Sequence, residues 1–555
     1  MSALRRIGMG LTLLTVAGGL GVAVVDGLHN PFFNDLPWFS LAYLALTGLL
    51  LRRARGLALT TLLVAAVWLA GALHRPSGPS SVDVLVYGVD GGTFDVIDTY
   101  AEELPAFTQL RADGTRAVLR SIEPMFSPPL WTSIASGRKA DDHGIRGFRV
   151  QASDCKVARF WDVAEEHEWR IGLYKWLVDY PPRQVQGFWV PSWLAPSTET
   201  WPESLGVVKE IELARRIRRK QTAATRSNVE LGWALIGSGG RLSTLLDAAL
   251  WVLEEKLLPQ DLVRASIRQQ IIRGNIDRDV FVAQLYTLRP RLATFNYYAT
   301  DGLAHRYWDR HLAGGDEVRV AYRQADQILA ELRSHLGPQA RLIVVSDHGF
   351  QAMEQSGKDG NYAPTTERLR LRLGETVGPV DVTRVGRRLT VAFQTHDQRV
   401  KGETWISELR DQDGAPVFVQ DAHPENQLTI GLNLAIEMIN AEVLERSTVG
   451  GEPMRDWVTL SDSFTGTHHA AGIFYAAGPG VTPGEELPTV ELLQVAPTVL
   501  AAMGLPAADD MPEKAVIFPE LPRVASWDQL VLGLTWLGGE AGVNDDRLKQ
   551  LGYQQ

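Results

Sequence analysis

The sequence holds a single cysteine, Cys155, in 555 residues. A disulfide within the chain is therefore excluded, and so is a metal site built on several thiolates. A basic excess is also missing: Lys and Arg number 55 against 65 Asp and Glu, for a formal net charge of -10. That balance argues against a general nucleic-acid binder, which needs a positive face for phosphates. No internal repeat and no long low-complexity tract is present, so repeat architectures are excluded too. Hydrophobic content of 45% and charged content of 22% are ordinary globular values. The length allows a large buried core.

One absence is local. Residues 7–25, 38–51 and 56–73 contain no Asp, Glu, Lys or Arg. A bilayer core needs about 20 apolar residues per helix. The first and third runs have that length, and the second reaches it when extended back toward Phe32. The first run exceeds the apolar core of a signal peptide, and further apolar segments follow it directly. Residues 1–81 are therefore expected to form three transmembrane helices and a linker, 74–81, rich in Pro, Gly and Ser. Arg5 and Arg6 precede the first run, and Arg52, Arg53 and Arg55 lie between the second and third. The loop between the first two has Asp26 and Asp35 but no Lys or Arg. By the positive-inside rule the amino terminus is cytoplasmic. The expectation is a multi-pass protein of the cell (inner) membrane with an extracytoplasmic catalytic domain.

Beyond residue 81 the pattern changes to alternating strands and helices. VDVLVYGV, at 82–89, is an apolar run ending in Asp90-Gly91-Gly92, as expected of a buried parallel strand. Strands are also expected at 117–121, 170–176, 292–298, 341–345 and 470–477, and helices at 94–110, 160–168 and 490–503. The fold class is α/β with a mostly parallel central sheet. Residues 199–285 read as a helical insertion with a basic cluster at Arg215, Arg216, Arg218, Arg219 and Lys220. That cluster is a solvated helix face or, beside a membrane, a contact for anionic headgroups of the lipid bilayer. Residues 356–458 read as a second, turn-rich insertion, and 511–555 as a tail after a catalytic domain at 82–510.

Ligands of open α/β sheets gather at the C-terminal ends of the strands. Three such ends here carry acid or imidazole groups: Asp90, Asp301 with His305, and Asp347 with His348. His468 adds an imidazole before a later strand. Carboxylates with neutral imidazoles suit zinc and, to a lesser extent, manganese. Ser127 stands before Pro128 and Pro129, which suggests a stiff, exposed turn, with 131–136 as the first helical turns behind it. Alone, that stretch reads equally as a turn before a core helix or as a presented nucleophile. Thr132 is the rival hydroxyl.

Six pieces carry a resemblance. They are VYGVDGG at 86–92, SPPLWTSIASGRKADDHGI at 127–145, YYATDGLAH at 297–305, VVSDHGF at 344–350, GTHHAAGIFYAAGPG at 466–480 and LLQVAPTVLAAMGLP at 492–506. In this order they resemble the alkaline phosphatase superfamily, within it the type I phosphodiesterase/nucleotide pyrophosphatase family. The resemblance implies a three-layer sandwich and a hydrolase acting on a phosphate-ester substrate, most closely a phosphodiesterase. It implies two divalent metal ions, zinc with manganese as the alternative. Asp301, His305 and His468 would hold one. Asp90, Asp347 and His348 would hold the other, which also meets Ser127. His468 is preferred to His469 because it stands four residues before Gly472, the family's spacing. Ser127 would be the nucleophile, forming a covalent phosphoserine intermediate.

Two departures bear on the substrate. Nucleotide pyrophosphatases place an Asn shortly after the HGI turn, where this chain has Arg146, Gly147, Phe148 and Arg149. Sulfatases of the superfamily need Arg where this chain has Trp131. A phosphotransferase acting on lipid or glycan headgroups, a sulfatase and an inactive binding protein stand as alternatives. The last predicts a lost ligand, and every ligand position is filled.

Overall fold

The computed structural model describes residues 78–538 and 542–543, apart from 215–225, 258–261, 354–361, 386–387, 424–425, 434–435, 437–440 and 461–464. The three apolar runs before residue 78 and the basic cluster at 215–220 lie outside the described residues. Among the described residues no helix is long and apolar enough to cross a membrane. The chain divides into two units, residues 78–239 with 261–555, and residues 1–77 with 240–260. Of the second unit, the described part is a helix, Leu242–Leu257.

The first unit is built on a nine-stranded sheet. Its strands are β1 (Val84–Val89), β2 (Thr115–Arg120), β3 (Ile171–Tyr174), β4 (Gly187–Val190), β5 (Leu292–Tyr297), β6 (Arg341–Val345), β7 (Ala471–Ala477), β8 (Glu485–Glu486) and β9 (Val490–Glu491). The order is β8-β2-β7-β6-β1-β5-β3-β4, with β9 also paired to β2. β1 pairs in parallel with β5 and β6, and only β7 runs against its neighbours β2 and β6. All six residues of β1 are buried, as a strand covered on both faces requires.

Side-chain alternation along β1 builds the two helical layers. Val84 and Val86 join a core with Trp131 and Ile134 of helix α1 (Ser127–Ser136) and with Val495 and Val499 of a late helix, Val495–Met503. On the other face, Tyr87 donates to the Ala325 carbonyl of another helix, Glu317–Ser334, and its ring meets Phe295. The result is the expected mixed α/β fold around a mostly parallel sheet.

The described residues between 203 and 287 are largely helical. The longest piece, Leu262–Thr287, lays Phe281 against Phe295 of β5, ring centroids 5.0 Å apart. Within 356–458, strands Asp381–Val385, Arg388–Ala392, Phe418–His423 and Gln427–Leu432 form a separate antiparallel sheet with its own core, which includes Leu373, Leu389 and Ile430.

Candidate metal centre

Chain direction and sheet order bring the marked residues to one edge. β6, β1 and β5 are parallel neighbours, so the residues that follow them emerge side by side. Asp90 follows β1. Asp347 and His348 follow β6. Asp301 lies in the first turn of helix α2 (Ala299–Leu312), which follows β5, and His305 stands one turn later on the same face. His468 comes from a short strand, Gly466–His469, paired antiparallel with Gly349–Ala352, where it faces Phe350. Ser127 is delivered by the segment that leaves β2.

These side chains form two groups, Asp301 with His305 and His468, and Asp90 with Asp347 and His348. Within each group the ligand atoms lie within 4.8 Å of one another. Asp301 Oδ1 is 3.3 Å from His305 Nε2 and 3.4 Å from His468 Nε2. His348 Nε2 is 3.3 Å from Asp347 Oδ2 and 3.7 Å from Asp90 Oδ1. It is also 4.0 Å from Asp301 Oδ1, so the groups adjoin. His348 and His468 stack with ring centroids 3.5 Å apart.

The tautomers follow from the partners. A carbonyl only accepts, so a ring nitrogen beside one must carry the proton. Nδ1 of His305 donates to Gly466 O at 3.0 Å, Nδ1 of His468 to Met125 O at 2.7 Å, and Nδ1 of His348 to Gly349 O at 3.0 Å. Each ring thus turns its Nε2 inward. The Nε2 atoms of His305 and His468 are 2.9 Å apart. Asp90 Oδ1, Asp301 Oδ1 and Asp347 Oδ2 are buried without a hydrogen-bond partner. Three buried carboxylate oxygens without a donor are costly unless a cation sits among them. Imidazoles anchored through Nδ1 with carboxylates beside them are the usual donors to zinc-like ions. The residues fit divalent ions.

The titration behaviour reflects the same crowding. Burial, reinforced by Asp347 and Asp301, pushes the Asp90 carboxyl well up against the opposing Trp131 hydrogen bond. Burial pushes Asp347 up to about 7, with His468 and the Ser127 hydroxyl opposing and Asp301 adding. Asp301 is buried too, yet His305 and His468 hold it well below the carboxylate range. Burial, then the neighbouring His468, presses His348 well below its ordinary value. These are shifts of unshielded charges, and a bound cation would invert the logic for the carboxylates.

Ser127 departs from its expected setting. It is the first residue of α1, with two prolines in the first turn, and it is buried at 4% exposure rather than displayed on a turn. The helix starts there because the proline φ is already helical and first-turn residues need no N–H of their own. Pro128 and Pro129 therefore have no amide to offer an anion, and the Leu130 N–H is taken by Phe126 O at 3.1 Å. Its Oγ lies 3.5 Å from His348 Nε2, and the hydroxyl also reaches Asp347.

Other marked residues fall elsewhere. Thr132 donates to Pro128 O at 2.8 Å, inside α1. His469 is exposed, and its Nδ1 accepts from the Ala471 N–H. His143 is fully buried; it accepts the Ile145 N–H at Nδ1 and lies 3.1 Å from Ser133 Oγ at Nε2, so it ties the turn to α1. Arg146 is exposed and pairs with Asp141 at 2.6 Å. Spacing gave no hint of Trp131 Nε1, which donates to Asp90 Oδ2 at 3.0 Å.

The family model for type I phosphodiesterase / nucleotide pyrophosphatase matches residues 84–411. No curated protein matches the chain.

Proposed function

Because the chain belongs to the type I phosphodiesterase/nucleotide pyrophosphatase family, a family of hydrolases acting on phosphoric ester bonds, we propose that it is a membrane-anchored phosphodiesterase with Ser127 as nucleophile. The observation that carries this reading is the hydroxyl of Ser127 beside two adjoining groups of acid and imidazole side chains, in which Asp90, Asp301 and Asp347 each hold one buried oxygen without a hydrogen bond. Asp301, His305 and His468 would hold one divalent ion, and Asp90, Asp347 and His348 a second. Zinc, or manganese in its place, would supply positive charge against the phosphate oxygens and a lowered pKa for the Ser127 hydroxyl.

The chain's own part is positional. Ser127 Oγ, fixed by two prolines at the head of α1, bonds to phosphorus while the ester P–O bond opposite it breaks. The alcohol leaves with a proton and the phosphoryl group stays on Ser127. Water then cleaves the Ser127–phosphorus ester and returns the hydroxyl. The Nδ1 anchors on Gly466, Met125 and Gly349 carbonyls hold the three imidazoles aimed throughout.

The anchor is read from the uncharged runs at 7–25, 38–51 and 56–73, which would place the catalytic domain outside the inner membrane. The test is hydrolysis of an aryl phosphodiester, an aryl phosphate monoester and an aryl sulfate by the full chain, with zinc or manganese. The expected result is diester activity lost on chelation and in Ser127→Ala. Full activity of Ser127→Ala overturns the nucleophile. Product formation that depends on an added alcohol turns the reading to phosphotransfer.

A further inference from the structure

We infer that Trp131 is a positioning residue for this centre: its indole N–H takes one oxygen of Asp90 and so fixes the other toward His348. The inference rests on the proposed metal reading and adds a residue that the ligand groups do not contain. Trp131 Nε1 donates to Asp90 Oδ2 at 3.0 Å, and both side chains are buried. The remaining oxygen, Oδ1, has no hydrogen-bond partner and lies 3.7 Å from His348 Nε2. A carboxylate with two free oxygens can rotate about its Cβ–Cγ bond or chelate through both. With Oδ2 held, Asp90 presents Oδ1 alone to a cation.

The donor is itself held from three sides. The Trp131 ring is fully buried and meets Trp176 edge to face, centroids 5.1 Å apart. Trp176 Nε1 donates to the Trp131 carbonyl at 3.0 Å, which fixes the backbone that carries the ring. On the third side is Gly88, two residues before Asp90 on β1. A Cβ there would stand 2.6 Å from the Trp131 ring, so the indole reaches β1 only because position 88 has no side chain. Trp131 also carries Ser127 on its own helix. One rigid element therefore sets both the proposed nucleophile and the aim of a proposed ligand. The donor is uncharged, so it orients Asp90 without neutralising it and leaves the full negative charge for a cation. A lysine or arginine in that place would compete with the cation for Asp90.

The experiment compares wild type with two variants of the full chain: Trp131 replaced by benzothienylalanine, which keeps ring shape and loses the N–H, and Trp131→Phe. Zinc affinity is measured by chelator competition, and thermal unfolding is followed on the metal-free proteins. The inference expects about 10–100-fold weaker zinc binding at one site in both variants. It also expects unchanged metal-free unfolding for the isosteric one, and a fall in kcat larger than any rise in KM. Zinc affinity equal to wild type in the isosteric variant overturns the inference, as does a metal-free unfolding loss that accounts for the weaker binding. If wild type itself binds no zinc or manganese, it is the metal reading that fails, a result separate from either.

Discussion

Helix α1 carries four hydroxyls, and hydrogen bonds separate the two candidate nucleophiles among them. Thr132 Oγ1 is spent on Pro128 O inside the helix, whereas Ser127 Oγ faces His348 and Asp347. Thr132→Ala is accordingly expected to keep diester hydrolysis under the conditions where Ser127→Ala loses it. Equal losses in a steady-state assay would count against Ser127. A second residue-scale prediction concerns Asp179. It is fully buried, accepts the Ser192 N–H at 2.9 Å through Oδ1, and leaves Oδ2 without a partner. Burial, against the Ser192 N–H and Lys209, pushes its carboxyl up to about 7. In the unfolded chain it ionises near the ordinary value, about 3.9. Between those values the unfolded state has released a proton that the folded state retains. Stability therefore falls as pH rises through this window, by at most about 4 kcal/mol. Asp179→Asn has no proton to release. Its unfolding midpoint should match wild type below pH 4 and exceed it increasingly up to about pH 7. A constant difference across that range would contradict the assignment.

At the scale of elements, the centre is an edge where β6, β1 and β5 end together, with a short two-stranded ribbon of 349–352 and 466–469 beside them. The ribbon is tightly seated. Gly466 lies where a Cβ would come 2.5 Å from Ala304 O and 2.8 Å from Trp308 Cβ. Its carbonyl anchors His305, and His468 follows two residues on. Gly466→Val should therefore weaken zinc binding by about tenfold or more while the far-UV circular dichroism is unchanged. Undiminished affinity in competition titrations would show that the ribbon does not set the ligands. Much of this edge was legible in the sequence. Apolar runs such as VDVLVYGV announce doubly covered strands, and an Asp or His directly after such a run must appear at the strand's end. The start of α1 was not legible, because Ser-Pro-Pro signals a turn as readily as a helical first turn. The pairing of 349–352 with 466–469 was hidden as well, since the partners are separated by an insertion with a sheet of its own. Trp131 was visible only as a residue type, because a hydrogen bond across the sheet edge leaves no spacing pattern.

For the whole molecule, the expectation from sequence was an α/β domain interrupted twice, and the residues around 381–432 fold about a core that does not draw on the central sheet. Leu389 is fully buried in that core. Leu389→Ala should cost about 2–5 kcal/mol there and leave zinc affinity at the sheet edge unchanged. Parallel loss of both, followed by urea unfolding and competition titration, would show that the two cores are coupled. The account as a whole stands on Ser127 taking the phosphoryl group. The most direct measurement is an acid quench of the metal-loaded chain during turnover of an aryl phosphodiester, followed by peptide mass mapping. The account predicts a phosphoryl ester on Ser127, in a peptide that carries none in Ser127→Ala. An ester on Thr132, or turnover in Ser127→Ala at the wild-type rate, would contradict it.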